Sequence, residues 1–358
     1  MRRRLLIYLA GCFYYSGLVA LARWWTRHAG KRVIIVNYHT ATGGAFLQHL
    51  LYLRKHYRIM PVEAALAELY SGSVMLSMCQ GKKDRRTPLV VTLDDGYTDN
   101  FSYGMQLAHD YCVPLSIYLI PGYINSGQRF WWFEGKYMAR HTAVPEVLLE
   151  KQTFQLQHED GRVAMAQFID ERTRHATSVA ERETFLTTAR ELLKLSSSST
   201  QSEQDREHLP INWDQARAME QSGWISFGAH TMHHPILSYL SDASEIKREV
   251  TECRQVLEQK LGHPIRSFAY PVGQEQHIGT AVVQAVQEAG YDWALTTTYG
   301  FNTPATDPYR LKRIEADVDQ HWLIVAVASA GLWGFIAHMR WFPFIRKNFT
   351  NASYKKGL

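Results

Sequence analysis

Residues 90–100 read VVTLDDGYTDN: an apolar, β-branched run of the kind that forms a buried strand, then two adjacent carboxylates, Asp94 and Asp95, then Gly96 as a stop. In α/β folds, active sites gather at the C-terminal ends of strands, so both Asp side chains stand where chemistry is expected. Successive strand side chains point to opposite faces. For both carboxylates to serve one site the chain must turn here, and Gly96 permits the turn because it has no Cβ. Taken alone, the stretch can also be read as a surface Asp-Asp-Gly turn.

Similar short apolar runs occur at 32–39 (RVIIVNYH), 89–93, 115–120, 225–228, 267–270 and 293–297. Helical patterns separate them: 61–70, 244–261 with Ile246, Val250, Cys253, Val256 and Leu257 on one face, and 278–289 before Gly290. Strand–helix alternation predicts a parallel sheet, open or closed into a barrel. Residues 125–221 break the rhythm. They are charged and mostly helical in pattern, with Phe185, Ala189, Leu192 and Leu193 sharing a face in 181–195 and a low-complexity linker at 196–204 (SSSSTQSEQ). This stretch reads as an insertion.

The chain has 358 residues, 46% apolar and 20% charged, with a mean hydropathy of -0.27. That balance excludes a polytopic membrane protein, a collagen and a disordered chain, and it fits one α/β barrel of about 250 residues with additions. Lys and Arg (39) exceed Asp and Glu (34) by only +5, too weak and dispersed a charge to indicate nucleic acid. Cys12, Cys79, Cys112 and Cys253 show no C-x-x-C spacing, so neither a zinc ribbon nor a dense disulfide framework is indicated.

Apolar character and basic excess concentrate at the ends. Residues 5–22 (LLIYLAGCFYYSGLVALA) carry no charge and lie between Arg2, Arg3, Arg4 and Arg23, Trp24, Trp25. This approaches the roughly 20 residues of a membrane span, with tryptophans suited to headgroup level. An uncleaved anchor leads; a cleaved signal ending at Ala20-Leu21-Ala22, a lipoprotein box ending at Cys12 and a buried helix remain open. Residues 322–337 (WLIVAVASAGLWGFIA) are shorter and read as a buried C-terminal helix, a span or an interfacial helix. Arg23, Arg27, Lys31 and Arg32 conflict with the topology that the outermost basic residues suggest, so the membrane side is open. Asn348 and Asn351 begin two short glycosylation-type sequons. The expected division is 1–30 anchor or signal, 31–320 barrel, 321–358 apolar helix and basic tail.

A second chemical feature is 228–235, GAHTMHHP, again after an apolar strand. His230 and His234 are four apart, and a helical turn would bring both imidazoles to one metal; His233 is the competing partner.

Together these segments resemble the polysaccharide deacetylase superfamily, carbohydrate esterase family 4, the NodB-homology domain. TLDDG (Asp94, Asp95, Gly96) is similar to its first motif, and His230, Thr231, His234 and Pro235 to its second, H-[ST]-x-x-H-P. The resemblance runs from about 33 to 314. It implies a distorted (β/α) barrel of the NodB-homology type, with a helical insertion and apolar N- and C-terminal segments. It also implies metal-dependent removal of N-acetyl, or sometimes O-acetyl, groups from a glycan. Asp95, His230 and His234 would hold a divalent metal, Zn²⁺ or similar. Asp94 would be the general base, and the Val272 amide would receive the oxyanion.

The third motif departs from the family pattern. It reads Phe268, Ala269, Tyr270, Pro271, Val272, Gly273, with Ala269 where the family's base-orienting Arg stands. Arg266 and Arg313 are candidates for its replacement, and Tyr270 for a substrate contact. The late L-x-H segment that carries the family's general acid is also missing. Instead, Val36, Asn37, Tyr38 and His39 resemble the M-Y-H segment of circularly permuted members such as biofilm poly-N-acetylglucosamine deacetylases. His39 would then protonate the departing amine, a role suited to an imidazole. Trp131 and Trp132 offer flat faces to sugar rings or to the core.

Three functions are therefore in view: a membrane-anchored glycan N-deacetylase of envelope or exopolysaccharide biosynthesis, expected at a bacterial inner membrane; a deacylase of a lipid-linked sugar; and a glycan-binding barrel without catalysis.

Overall fold

The structure, a computed structural model, describes residues 2–71, 84–195 and 209–333. Cys79, the 196–204 linker and the sequons at Asn348 and Asn351 fall outside them. The strands in chain order are β1 (Ile34–Tyr38), β2 (Arg58–Ile59), β3 (Pro88–Leu93), β4 (Leu115–Leu119), β5 (Glu146–Leu149), β6 (Gln152–Gln155), β7 (Ile225–Ala229), β8 (Ser267–Ala269), β9 (Trp293–Leu295) and β10 (Ile314–Glu315).

All but β5 and β6 form one parallel sheet in the order β10-β1-β3-β4-β7-β8-β9, with β2 on β3. Residues 308–311 hydrogen-bond to β9, and the chain then enters β10 beside β1. The sheet thereby curls into a distorted barrel. Both faces of its strands are buried, which explains why they read as continuous apolar runs instead of alternating ones. Ile34, Val36, Leu89, Val91, Leu115 and Ile117 belong to the larger core, while Ile35, Val90 and Tyr118 on the other face meet the helix Val62–Ser71.

Register matters most for the site. Tyr38 pairs with Leu93, Leu119 with Ala229, Ala229 with Phe268, and Ala269 with Leu295. The residues that follow these pairs, among them His39, Asp94, His230 and Tyr270, therefore emerge together at one end of the barrel.

The segment between β4 and β7 contains the expected helices, Trp131–His141, Glu159–Arg174 and Val179–Leu192, around a separate core of Phe130, Met138, Leu156, Ile169 and Ala189. It also contains the antiparallel β5–β6 hairpin, which helical periodicity did not anticipate. In helix Val179–Leu192, Ala189 and the following Leu193 are buried and Phe185 packs against them, as the predicted face requires, while Leu192 is 47% exposed and Leu186 is buried in its place.

At the N-terminus, the uncharged run is broken in two. Helix Arg2–Tyr15 ends before Gly17, whose φ of 84° turns the chain into helix Leu18–His28. The pair is bent by 65°, and no single helix among the described residues is long and apolar enough to cross a membrane. The first helix packs on Trp322–Ser329, which also contacts helix Phe46–His56. Leu323, Val325, Ala326 and Val327 are buried there, as in the buried-helix reading of the C-terminal run. The part of that run from 334 onward lies outside the described residues.

Candidate active site

The β3 strand ends in a turn sharper than Gly96 alone would require: Asp95 (φ 75°) and Gly96 (φ 73°) both take the left-handed conformation. The φ of Gly96 is what calls for glycine, and a Cβ there would also press on the end of the Leu119 side chain at 2.5 Å. The turn separates the two carboxylates into different environments.

Asp94 is 2% exposed and Arg313 fully buried. Arg313 Nη1 donates to Asp94 Oδ1 at 2.8 Å and to Asn37 Oδ1 at 2.8 Å, while its Nε donates to Thr296 O at 2.8 Å. Asn37 Nδ2 donates to Asp94 Oδ2 at 3.1 Å, and the Thr92 hydroxyl donates to Asn37 Oδ1 at 2.8 Å. Burial by itself would push the Asp94 carboxyl up, yet the charges of Arg313 and His230 and the Arg313 hydrogen bond hold it well below the usual carboxylate range. Of the two arginines considered from sequence, Arg313 reaches the site. Arg266 does not: it is half-exposed and pairs with Asp292 at 2.5 Å.

Asp95 faces the histidines. Its Oδ1 lies 3.5 Å from His230 Nε2 and 3.7 Å from His234 Nε2. His230 Nδ1 is 2.7 Å from the Ala269 carbonyl, an acceptor only, so Nδ1 donates there and Nε2 is the ring atom turned to Asp95. The two imidazoles do not converge through a helical turn, as i, i+4 spacing suggested. Thr231 (φ 63°) and His234 (φ 56°) make a left-handed loop instead, and the Thr231 hydroxyl accepts the His234 N–H at 2.9 Å. This gives the Thr of HTMHHP a structural task. His233 turns away and meets buried Glu249 at 2.7 Å.

The three groups could hold a metal ion, their ligand atoms lying within 4.8 Å of one another. The residues fit such an ion, since Asp95 Oδ1 is buried with no hydrogen-bond partner. Burial pushes the Asp95 carboxyl up, and it pushes His234 well below the imidazole range, so His234 is neutral and able to ligate.

These groups line a cavity of about 290 Å³ shared with His39, Tyr97, Trp131, Trp132, Tyr270 and Val272. Val272 has φ 59°, and its N–H has no backbone acceptor among the described residues. Tyr270 is buried with its hydroxyl on Tyr309 O at 3.0 Å, so its part in the wall is its ring. Trp131 is buried and donates through Nε1 to His234 O at 3.1 Å. Trp132 stacks on Phe130 and lies 4.6 Å from the His234 ring.

Sequence reasoning missed Tyr97, Asn37 and Arg174. The Tyr97 hydroxyl bonds Asp95 and accepts from Trp132 Nε1 at 2.9 Å, tying the insertion to the candidate ligand. Tyr97 lies two residues beyond Asp95 in the same motif, so its proximity was a usable signal. Arg174, from the insertion helix Glu159–Arg174, and Glu315 of β10 also line the cavity, and neither carries a local signal.

Residues 81–294 match the family described as polysaccharide deacetylase. No curated relative matches the chain. Among solved structures, the deacetylase PplD of Streptococcus pyogenes in complex with acetate is similar at 14% identity and a TM-score of 0.53, over 84% of this chain and 99% of that one. IcaB from Ammonifex degensii is similar at 16% identity and a TM-score of 0.53, over 84% and 98%. A de-N-acetylase from Aggregatibacter actinomycetemcomitans is similar at 12% identity and a TM-score of 0.50, over 83% and 100%.

Proposed function

Because the chain belongs to the polysaccharide deacetylase family, hydrolases of N-acetyl amide bonds, we propose that it removes N-acetyl groups from an envelope or extracellular glycan at a bacterial inner membrane. The observation that carries this is the pairing of two differently tuned carboxylates: Asp94 held ionised by Arg313, and Asp95 with an unpartnered oxygen facing two imidazoles.

Asp95, His230 and His234 would hold a divalent cation, with Zn²⁺ suited to this N₂O donor set. Such an ion supplies Lewis acidity to the amide carbonyl and to a water molecule. Asp94, fixed by Arg313 and Asn37, takes the water's proton as the hydroxyl oxygen attacks the acetyl carbon. The Val272 N–H donates to the oxygen that gains charge. His39, at the end of β1, gives a proton to the amine nitrogen as the carbon–nitrogen bond breaks, leaving acetate and a free amino sugar. In this reading the general acid directly follows the first strand, the arrangement expected of a circularly permuted member. Trp132 and Arg174 line the cavity from the insertion, where a flat ring and a cation can orient a sugar.

The test is acetate release from N-acetylglucosamine oligomers by purified protein of measured metal content. Asp94→Asn and His230→Ala should abolish release while leaving the fold intact. Wild-type rates in either variant would sink the catalytic reading. Inactivity on soluble oligomers combined with turnover of a polyprenyl-linked sugar in detergent would replace the polymer substrate with a lipid-linked one.

A further inference from the structure

Two concavities meet at the N-terminal end of the barrel, opposite Asp94. The first is a cleft of about 320 Å³ surrounded by Arg27, Lys31, Arg32, Arg58, Arg85 and Arg86, with only Glu68 and Asp84 as carboxylates. Both carboxylates are engaged, Glu68 by Arg58 at 2.5 Å and Asp84 by Arg86 at 2.6 Å. Arg27, Lys31, Arg32 and Arg85 have no carboxylate partner among the described residues. Arg58 is 6% exposed, and its Nε, like that of Arg32, is buried without a hydrogen-bond partner. Unopposed cations and unused donors around one cleft fit an anion.

The second concavity, about 860 Å³, is apolar and is lined by Leu18, Leu21, Trp25, Phe301 and Leu332. Leu18, Leu21 and Trp25 are 45%, 59% and 65% exposed and repeat at i, i+3 and i+7, so one face of helix Leu18–His28 is unpartnered. Thr26 and Arg32 line both concavities, which makes them one amphipathic surface, cationic at one end and apolar at the other. The bend at Gly17 and the backbone pairing of Val33 with Asn302 hold the two halves against the barrel.

We propose that this surface binds an anionic phospholipid of a membrane, with the phosphate among the cations and the acyl chain against Leu21 and Trp25. This rests on the reading that the terminal helices hold the protein at a membrane, and it adds the ligand and the orientation. The bent helix pair lies along the bilayer surface, its apolar face inward and its arginines at headgroup level. The catalytic cavity then opens away from the lipid by the length of the strands, roughly 15–20 Å. That orientation suits a glycan extending from the surface better than a sugar lying at headgroup level.

The test is co-sedimentation of the full-length protein with vesicles of phosphatidylcholine alone or mixed with phosphatidylglycerol. Binding to the anionic vesicles should be on the order of tenfold tighter. Lys31→Glu/Arg85→Glu should remove that gain and keep the weaker binding to phosphatidylcholine, whereas Lys247→Glu/Arg248→Glu, on the helix Ala243–Leu261, should leave the gain intact. Trp25→Ser should weaken binding to both vesicles. Each variant must keep the wild-type far-ultraviolet circular dichroism, with Lys31→Gln/Arg85→Gln used where charge reversal prevents folding.

Equal binding to both vesicle types overturns the headgroup site and leaves the membrane reading standing; binding to neither overturns both. Equal loss in the two charge-reversal variants indicates diffuse attraction and overturns the site. Displacement by inorganic phosphate at matched concentration assigns the cleft to free phosphate, and a dimer abolished by Trp25→Ser assigns the groove to a second copy; either result overturns the lipid.

Discussion

Arg313 Nη1 lies 2.8 Å from Asp94 Oδ1, and the two residues are almost completely removed from solvent. The contact joins the segment entering β10 to the end of β3, and it supplies the cation that the third motif lacks at Ala269. Truncating one member of a buried ion pair leaves the other charge unpaired, at a cost of about 3–5 kcal/mol.

Arg313→Met should therefore destabilise the protein by about that amount in denaturant unfolding and remove acetate release. The Asp94→Asn/Arg313→Met double variant should recover much of the stability and none of the activity. Full additivity of the two single-variant losses would show that the pair is not energetically coupled.

Asp95→Ala and His230→Ala should each purify without a stoichiometric divalent metal. A chelator should inactivate the wild type, and Zn²⁺ should restore it. Metal loading should also raise the unfolding temperature, since a ligand at a hundred times its Kd stabilises the native state by about 2.7 kcal/mol. Undiminished metal content in the Asp95→Ala protein would exclude Asp95 as a ligand.

Tyr97→Phe should lower metal affinity by about tenfold, because it removes the hydroxyl that bonds Asp95 and leaves the ligands in place. Competition with a fluorescent chelator reads this directly. An unchanged affinity would reduce Tyr97 to a packing residue.

His39→Ala should lower kcat by about 10²–10⁴ with metal content intact. A variant that keeps most of its turnover would remove His39 from the reaction.

The Asp94 carboxyl is held below its unfolded value by Arg313 and His230 despite its burial, and this sets the sign of a pH effect. The stabilisation is present above the unfolded pKa of about 3.9 and is lost as pH falls through the lower folded value. Wild-type stability should drop with acid below about pH 4, and Asp94→Asn should have a shallower drop when unfolding is followed across that range. Parallel curves for the two proteins would contradict the assigned shift.

Much of the site was legible because its two halves are each contiguous. VVTLDDG carries a strand, a turn and both carboxylates within a few residues, and GAHTMHHP carries both imidazoles with the Thr that fixes their loop. The alternation of apolar runs and helical patterns was enough for a parallel α/β barrel, since fully buried strands need no partner to declare themselves. The short strand β2 was invisible because two residues carry no periodicity. The β5–β6 hairpin was hidden by a charged composition typical of helices.

What sequence alone determined is local: which segments are strands, and which residue types stand at their ends. It could not decide between Arg266 and Arg313, between His233 and His234, or whether the terminal apolar runs continue or bend. Those outcomes depend on contacts between distant segments. Arg313 and Asp94 are 219 residues apart, and only strand register and closure of the barrel bring them together. The bend at Gly17 likewise takes its place from helix Trp322–Ser329, against which the first helix packs. Side-chain chemistry is written in the chain, whereas the charge that tunes it is placed by the sheet.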